Sequence, residues 1–247
     1  KEVRDIAVYG FAEMIRKGHK LNESRLELLM KNIDSVLDIE DMRSREQILG
    51  RESIIELLFK TGYKDRLKKA AFEFFKSDNH RNIDKSMFLF NKLFEFGVKF
   101  NEEELREIHQ FIENCDYFKF KFLQYSVEIV KRLIINGYVP KNSGDIAKAY
   151  FGKGVDFGSE KSLTIYLELV KRGIELDNAL KFALKVQSSF ILSKTFTLIF
   201  DIFYELINNN VGVNEIAKVA KEKLVSEGYK DKALKLLIHI YDKEGMS

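Results

Sequence analysis

Six short stretches punctuate this chain at near-regular intervals: RKGHKLN from Arg16, KTGYKDR from Lys60, EFGVKFN from Glu95, INGYVPK from Ile135, KRGIELD from Lys171 and NNNVGVN from Asn208. Each closes an amphipathic run with Gly, or with Asn210, the residue types that most readily take the left-handed conformation at a helix C-terminus. An apolar or aromatic residue follows, except at His19, then another apolar one at most copies, then usually Asn or Asp. Such a residue caps a new helix by accepting from its free backbone amides. The element is a helix stop fused to a helix start.

The joint residues Gly18, Gly62, Gly97, Gly137, Gly173, Asn210 and Gly245 stand 44, 35, 40, 36, 37 and 35 apart. Periods of this size mark helical hairpins that bury their apolar faces by stacking on one another. Further breakers at Asp78, Asn114, Gly154, Ser189 and Gly228 divide the intervals, so each unit is expected to hold two helices of about four turns. Apolar residues keep helical spacing within the runs: Leu163, Tyr166, Leu167 and Val170 fall at i, i+3, i+4 and i+7, and Leu234, Leu237, Ile238 and Tyr241 repeat that spacing. The expected fold is all-α, a right-handed α-α superhelix of about six to seven helical hairpins in a single domain over residues 1–247. Phase is ambiguous at one point. GYKDR at Gly62 falls between units and the similar GYKDK at Gly228 falls inside one, so either the phase slips early or the two turns are interchangeable.

DYFKFKFLQYS, residues 116–126, alternates rings with lysines. It reads as the start of a buried second helix, against the alternatives of a stacking surface for nucleic acid or a strand. On a helix Phe118, Phe122, Tyr125 and Ile129 share one face, Phe120, Leu123, Val127 and Val130 another, and Lys119 and Lys121 splay apart.

Chain length and 45% apolar content suffice for a large buried core. A single proline, Pro140, leaves helices almost uninterrupted. With 41 basic and 38 acidic residues the formal charge is only +3, so nucleic-acid or membrane binding would have to be local. The lone cysteine, Cys115, rules out an intrachain disulfide and points to a cytoplasmic or other reducing compartment. No apolar run reaches the roughly 20 residues of a membrane span. Starting at Lys1 instead of methionine fits a piece of a longer chain.

Chemical motifs are sparse. FGKGVDFG at residues 151–158 misses the dinucleotide fingerprint because its third glycine comes one residue late and no strand precedes it; it reads as a turn between helices. His19, His80, His109 and His239 show no metal-ligand spacing, so neither metal nor cofactor is expected, nor an enzyme. The best local candidate for an anionic partner is YKDRLKK from Tyr63, with Lys64, Arg66, Lys68 and Lys69 around one Asp65. Glu102, Glu103 and Glu104 favour a helix N-terminus.

The stretch NEIAKVAKEKLVSEGYKDKALKLLIHIYDKEG from Asn214 resembles a tetratricopeptide-class repeat, and more closely its pentatricopeptide relatives, in the spacing of Leu224, Gly228, Ala233, Leu234 and Leu237 and the closing glycine. LVKRGIELD at residues 169–177 is similar to the pentatricopeptide junction, and EVRDIAVYGFAEMI at residues 2–15 to a helix of a HEAT or armadillo repeat. The pentatricopeptide resemblance implies single-stranded RNA read one base per repeat by the junction Asn or Asp and a polar residue five positions on. The matching positions are Asn101, Asp177 and Asn214, with Asn142 one place displaced; five residues on stand Arg106, Phe182, Val219 and Ala147, three of them apolar. The expected function is therefore a scaffold that holds a peptide or helix of another protein in a groove. RNA binding is the alternative, and an enzyme with a pocket between helices the third reading.

Overall fold

The computed structural model describes residues 6–8, 10–11, 13–14, 17–37, 54–77, 79–114, 123–151, 155–187, 193–225 and 228–245. These residues are helical with short turns and no strand. In chain order the main elements are α1 (Glu23–Lys31), α2 (Ile54–Leu58), a π-helical turn (Phe59–Tyr63), α3 (Lys64–Phe75), α4 (His80–Glu95), α5 (Glu102–Asn114), α6 (Leu123–Ile135), α7 (Ser143–Phe151), α8 (Val155–Val170), α9 (Leu176–Gln187), α10 (Ser193–Asn208), α11 (Val213–Lys223) and α12 (Lys230–Gly245).

The joints predicted from the glycines are built alike. At Gly97, Gly137, Gly173 and Asn210 the backbone turns left-handed, with φ of 72°, 92°, 72° and 58°. Each of these four N–H groups donates to the carbonyl three residues back, and the next N–H donates to the carbonyl five back, as in Gly97 to Phe94 and Val98 to Leu93. Those paired bonds satisfy helix-end carbonyls that would otherwise lack donors. Gly245 departs from the expectation: α12 runs through it, and it is absent from the left-handed residues. GYKDR and GYKDK share a left-handed glycine two residues before a helix, Gly62 (φ 93°) and Gly228 (φ 91°), although Gly62 lies inside the π-helical turn. The first leads into α3, which pairs with α4; the second leads into α12, which pairs with α11. A left-handed glycine thus stands ahead of the first helix of one pair and the second helix of another.

Helix starts agree with the sequence only in part. Asn101 caps α5 reciprocally: its Oδ1 accepts from the Glu104 N–H at 2.8 Å, and its own N–H donates to Glu104 Oε2 at 2.7 Å. Asn142 accepts through its backbone carbonyl from Ile146 at 2.9 Å, while its side-chain amide donates to the Ile112 carbonyl at 2.8 Å. Asp177 and Asn214 do not cap. Glu175, left-handed at φ 58°, takes that place for α9 through its carbonyl. Gly212, left-handed at φ 65°, takes it for α11 without a side-chain bond. A second left-handed residue after the joint starts both helices early, so Asp177 and Asn214 fall inside their first turns.

Two compact units emerge. The first holds the described residues up to Lys99 together with 123–126; the second holds 100–114 and those from Val127 onward. In the first, α3 and α4 pair around Phe72, Phe75 and Phe90, with Phe72 and Phe90 edge to face at 4.9 Å. The buried Ser86 hydroxyl donates to the Ala71 carbonyl at 2.8 Å, so a small polar residue lets the two helices approach closely. Buried Lys85 is satisfied by the Asp34 carboxylate and, at 3.2 Å, by the Asp34 carbonyl.

In the second unit the pairs α7 with α8, α9 with α10 and α11 with α12 pack as hairpins, and the second helices of successive pairs pack on one another, α8 on α10 and α10 on α12. The serine contact recurs: Ser162 donates to the Ala147 carbonyl fifteen residues back, the same separation as Ser86 to Ala71. The second helices α8, α10 and α12 each span 16 residues, matching the expected four turns, whereas α7, α9 and α11 span 9, 12 and 11. Cations reach back to two of the helix ends. Arg172 donates to the Ile135 carbonyl at 2.8 Å, and Lys243 to the Ile207 and Asn208 carbonyls at 2.5 Å, each where the negative end of a helix dipole favours positive charge.

Leu163, Tyr166, Leu167 and Val170 are all buried, as their spacing implies. In α12 the expected stripe is the wrong one. Leu234, Ile238 and Tyr241 are 48%, 51% and 76% exposed, whereas Ala233, Leu236 and Ile240 form the core side. An isolated helix with apolar residues on two sides gives no sign of which side faces its neighbours. The aromatic stretch DYFKFKFLQYS lies mostly outside the described residues; within its continuation Tyr125 is buried, with its ring 5.3 Å from that of Phe88, and Ile129 and Val130 are buried too.

Burial, with the Glu175 and Asp145 carboxylates, pushes the Tyr166 hydroxyl up to about 12. The folded chain therefore holds this proton more tightly than the unfolded chain, whose tyrosines titrate near 10. The resulting stability is fully present below about pH 10 and is lost as pH rises toward 12. Alkaline unfolding followed by circular dichroism should accordingly shift to higher pH in Tyr166→Phe; an unchanged midpoint would contradict this assignment.

Candidate binding cleft

The first unit carries an open cleft of about 600 Å³, lined by Glu23, Leu26 and Glu27 from α1, Thr61, Gly62 and Tyr63 from the π-helical turn, and Asp65 and Arg66 from the start of α3. Its shape follows from local sequence. Gly62, at φ 93°, breaks the backbone between α2 and α3, and the kink carries Tyr63 and Arg66 over the exposed side of α1. Asn22 fixes where α1 begins by accepting from the Arg25 N–H at 3.1 Å.

Glu27 is the centre of the cleft. Its Oε2 lies 2.5 Å from Arg66 Nη1 and 3.4 Å from the Tyr63 hydroxyl, which donates to it. The Arg66 guanidinium stands over the Tyr63 ring, 5.6 Å from its centroid. The Arg66 hydrogen bond holds the Glu27 carboxyl below its usual range. Desolvation, then the Glu27 charge, raises the Tyr63 hydroxyl. Glu23 and Asp65 are exposed and make no ion pair among the described residues. Three carboxylates and one guanidinium line the cleft, which is therefore net negative.

The basic candidates of YKDRLKK share α3 but not a common anion site. Arg66 is engaged by Glu27, Lys69 lies 3.8 Å from Glu73, Lys68 donates to the Lys99 carbonyl at 3.2 Å, and Lys64 is exposed. Asn101 caps α5, Arg106 lies within α5, Asp177 within α9 and Asn214 within α11. Asn101 is spent on its cap, while Arg106, Asp177 and Asn214 are exposed. The partner positions Phe182, Val219 and Ala147 are buried.

Sequence reasoning found Arg66 and missed Glu27, although a signal existed. The hydroxyl of the tyrosine after a joint glycine reaches back 36 residues in two places, from Tyr63 to Glu27 and from Tyr138 to the Glu102 carbonyl at 3.3 Å. The tyrosine is the only part of that signal the sequence shows, because its partner 36 residues back stands nine residues past Gly18 in one case and five past Gly97 in the other. His109 lies 3.6 Å from Glu113, and His239 2.9 Å from the Asn208 side chain. Among the described residues no group of three or more His, Cys, Asp or Glu is placed to hold a metal, and no helix is long and apolar enough to cross a membrane. Gly158 of FGKGVDFG lies inside α8.

The structure defines an all-helical protein. No family model, curated protein or solved structure matches the chain.

Proposed function

We propose that this chain is a helical-repeat scaffold, its hairpins stacked within each unit as a right-handed α-solenoid, that binds a segment of another protein carrying basic side chains. The reading rests above all on recurrence: four joints with the same paired hydrogen bonds, and cross-hairpin contacts spaced by one repeat, from Tyr63 to Glu27, Tyr138 to Glu102, Arg172 to Ile135 and Lys243 to Ile207. Hairpins that touch only their neighbours present extended surfaces suited to polypeptide ligands. The cleft on α1 supplies the charge preference, because its carboxylates attract ammonium and guanidinium groups and repel phosphate.

Modular RNA reading is less well supported. Buried Phe182, Val219 and Ala147 cannot offer a base a hydrogen bond, and Arg66 and Lys69 of α3 face intramolecular carboxylates.

The test is direct binding of the purified chain to an array of short peptides of graded charge and to unstructured single-stranded RNA, each at low and physiological salt. Binding of arginine- and lysine-bearing peptides in preference to acidic ones is the expected result. Binding of RNA alone, weakening steeply with salt, would replace this function with the nucleic-acid one.

A further inference from the structure

We propose that the Glu27 and Tyr63 pair is a guanidinium clamp which Arg66 occupies from within the same chain, and that the partner docks by exchanging an arginine of its own for Arg66. The inference rests on the scaffold reading and adds the recognised group and the residue that competes for it. Two observations carry it. The cleft itself is open, about 600 Å³, with two carboxylates, Glu23 and Asp65, making no ion pair among the described residues. Within it a guanidinium, that of Arg66, is already seated over an aromatic ring and against a carboxylate.

The internal contact is a poor use of the site. Arginine offers five N–H donors in a fork that matches both oxygens of a carboxylate, yet Arg66 meets Glu27 through Nη1 to Oε2 alone. Arg66 is anchored three residues beyond Tyr63 on the same turn, which restricts the angle from which it can approach. Both side chains are substantially exposed, 55% for Arg66 and 31% for Glu27, and exposed pairs of this kind contribute little. Displacement is therefore cheap. An incoming arginine, free to approach from solvent, can engage both Glu27 oxygens, stack on Tyr63 and lie near Glu23 and Asp65. A lysine offers a compact ammonium that neither forks nor stacks equally well, so the clamp discriminates between the two.

The probe is N-acetyl-arginine amide, with N-acetyl-lysine amide as its competitor, titrated into the folded full chain and followed by amide NMR shifts of Thr61, Gly62 and Tyr63. The wild type should bind the arginine amide more tightly than the lysine amide. Arg66→Ala should bind the arginine amide about two- to fivefold more tightly than wild type, and Glu27→Gln should lose most of that binding while keeping the wild-type helical spectrum. Equal or weaker binding by Arg66→Ala overturns the exchange, as does retained affinity in Glu27→Gln. If basic peptides bind in the array while the arginine amide leaves Thr61 to Tyr63 unmoved, the clamp fails and the scaffold reading stands. If neither binds, both fail.

Discussion

Gly212→Ala is expected to destabilise the protein by about 2 to 5 kcal/mol, seen as a lower urea midpoint with an unchanged slope. Two penalties coincide there. Gly212 begins α11 at φ 65°, a conformation that costs a residue with a Cβ roughly 1 to 2 kcal/mol. A Cβ at that position would also stand 2.4 Å from Leu180 Cδ2 and 2.8 Å from Cδ1, so the leucine of α9 must leave its place or the turn must open, an overpacking cost of about 1 to 3 kcal/mol. Gly97→Ala separates the two effects. Its φ is 72°, but nothing lies within 4 Å of the added carbon, so only the backbone penalty applies and a loss of about 1 to 2 kcal/mol should be measured. Equal losses in the two variants would mean that Leu180 yields to the added carbon at no cost.

Leu236→Ala should cost about 2 to 4 kcal/mol and Ile238→Ala no more than about 0.5. The two residues lie two positions apart on α12, similar in size and apolarity, yet Leu236 is fully buried and Ile238 is 51% exposed. The first substitution removes methyl groups from packed surroundings and leaves a cavity; the second removes surface that water already reaches and adds a better helix former. Chemical unfolding monitored by circular dichroism, with amide exchange in α12 as a local readout, distinguishes the faces. A larger loss for Ile238→Ala would restore the stripe of Leu234, Leu237, Ile238 and Tyr241 as the core side.

That pair shows where sequence was sufficient and where it was not. Helix ends were legible because the left-handed turn imposes a local chemical demand: glycine or asparagine at the stop, an apolar residue next, and these placed Gly97, Gly137, Gly173 and Asn210 correctly. Helix starts were less legible. A second left-handed residue, Gly212 or Glu175, shifts the start by two positions, and nothing local distinguishes it from loop. Burial in α12 was not legible at all, because periodicity defines stripes without saying which one meets a neighbour. The cleft was half visible. YKDRLKK announces itself as a charge cluster, but Glu27 stands 39 residues before Arg66, and only the fold unites them. The basic cluster reads from sequence as a candidate anion site, and only the fold shows that its arginine pairs with Glu27 in a cleft lined by further carboxylates.

Arg172 and Lys243 give the second unit a polarity. Each donates to carbonyls at the end of the preceding second helix of its own unit, so loss of a later hairpin exposes a bare helix end in the earlier one, while loss of an earlier hairpin merely frees a lysine or arginine to water. Loss of α12 therefore removes a cation from the end of α10, and loss of the turn after α8 removes one from the end of α6, so each of these two helix ends depends on sequence that follows it by about 36 residues.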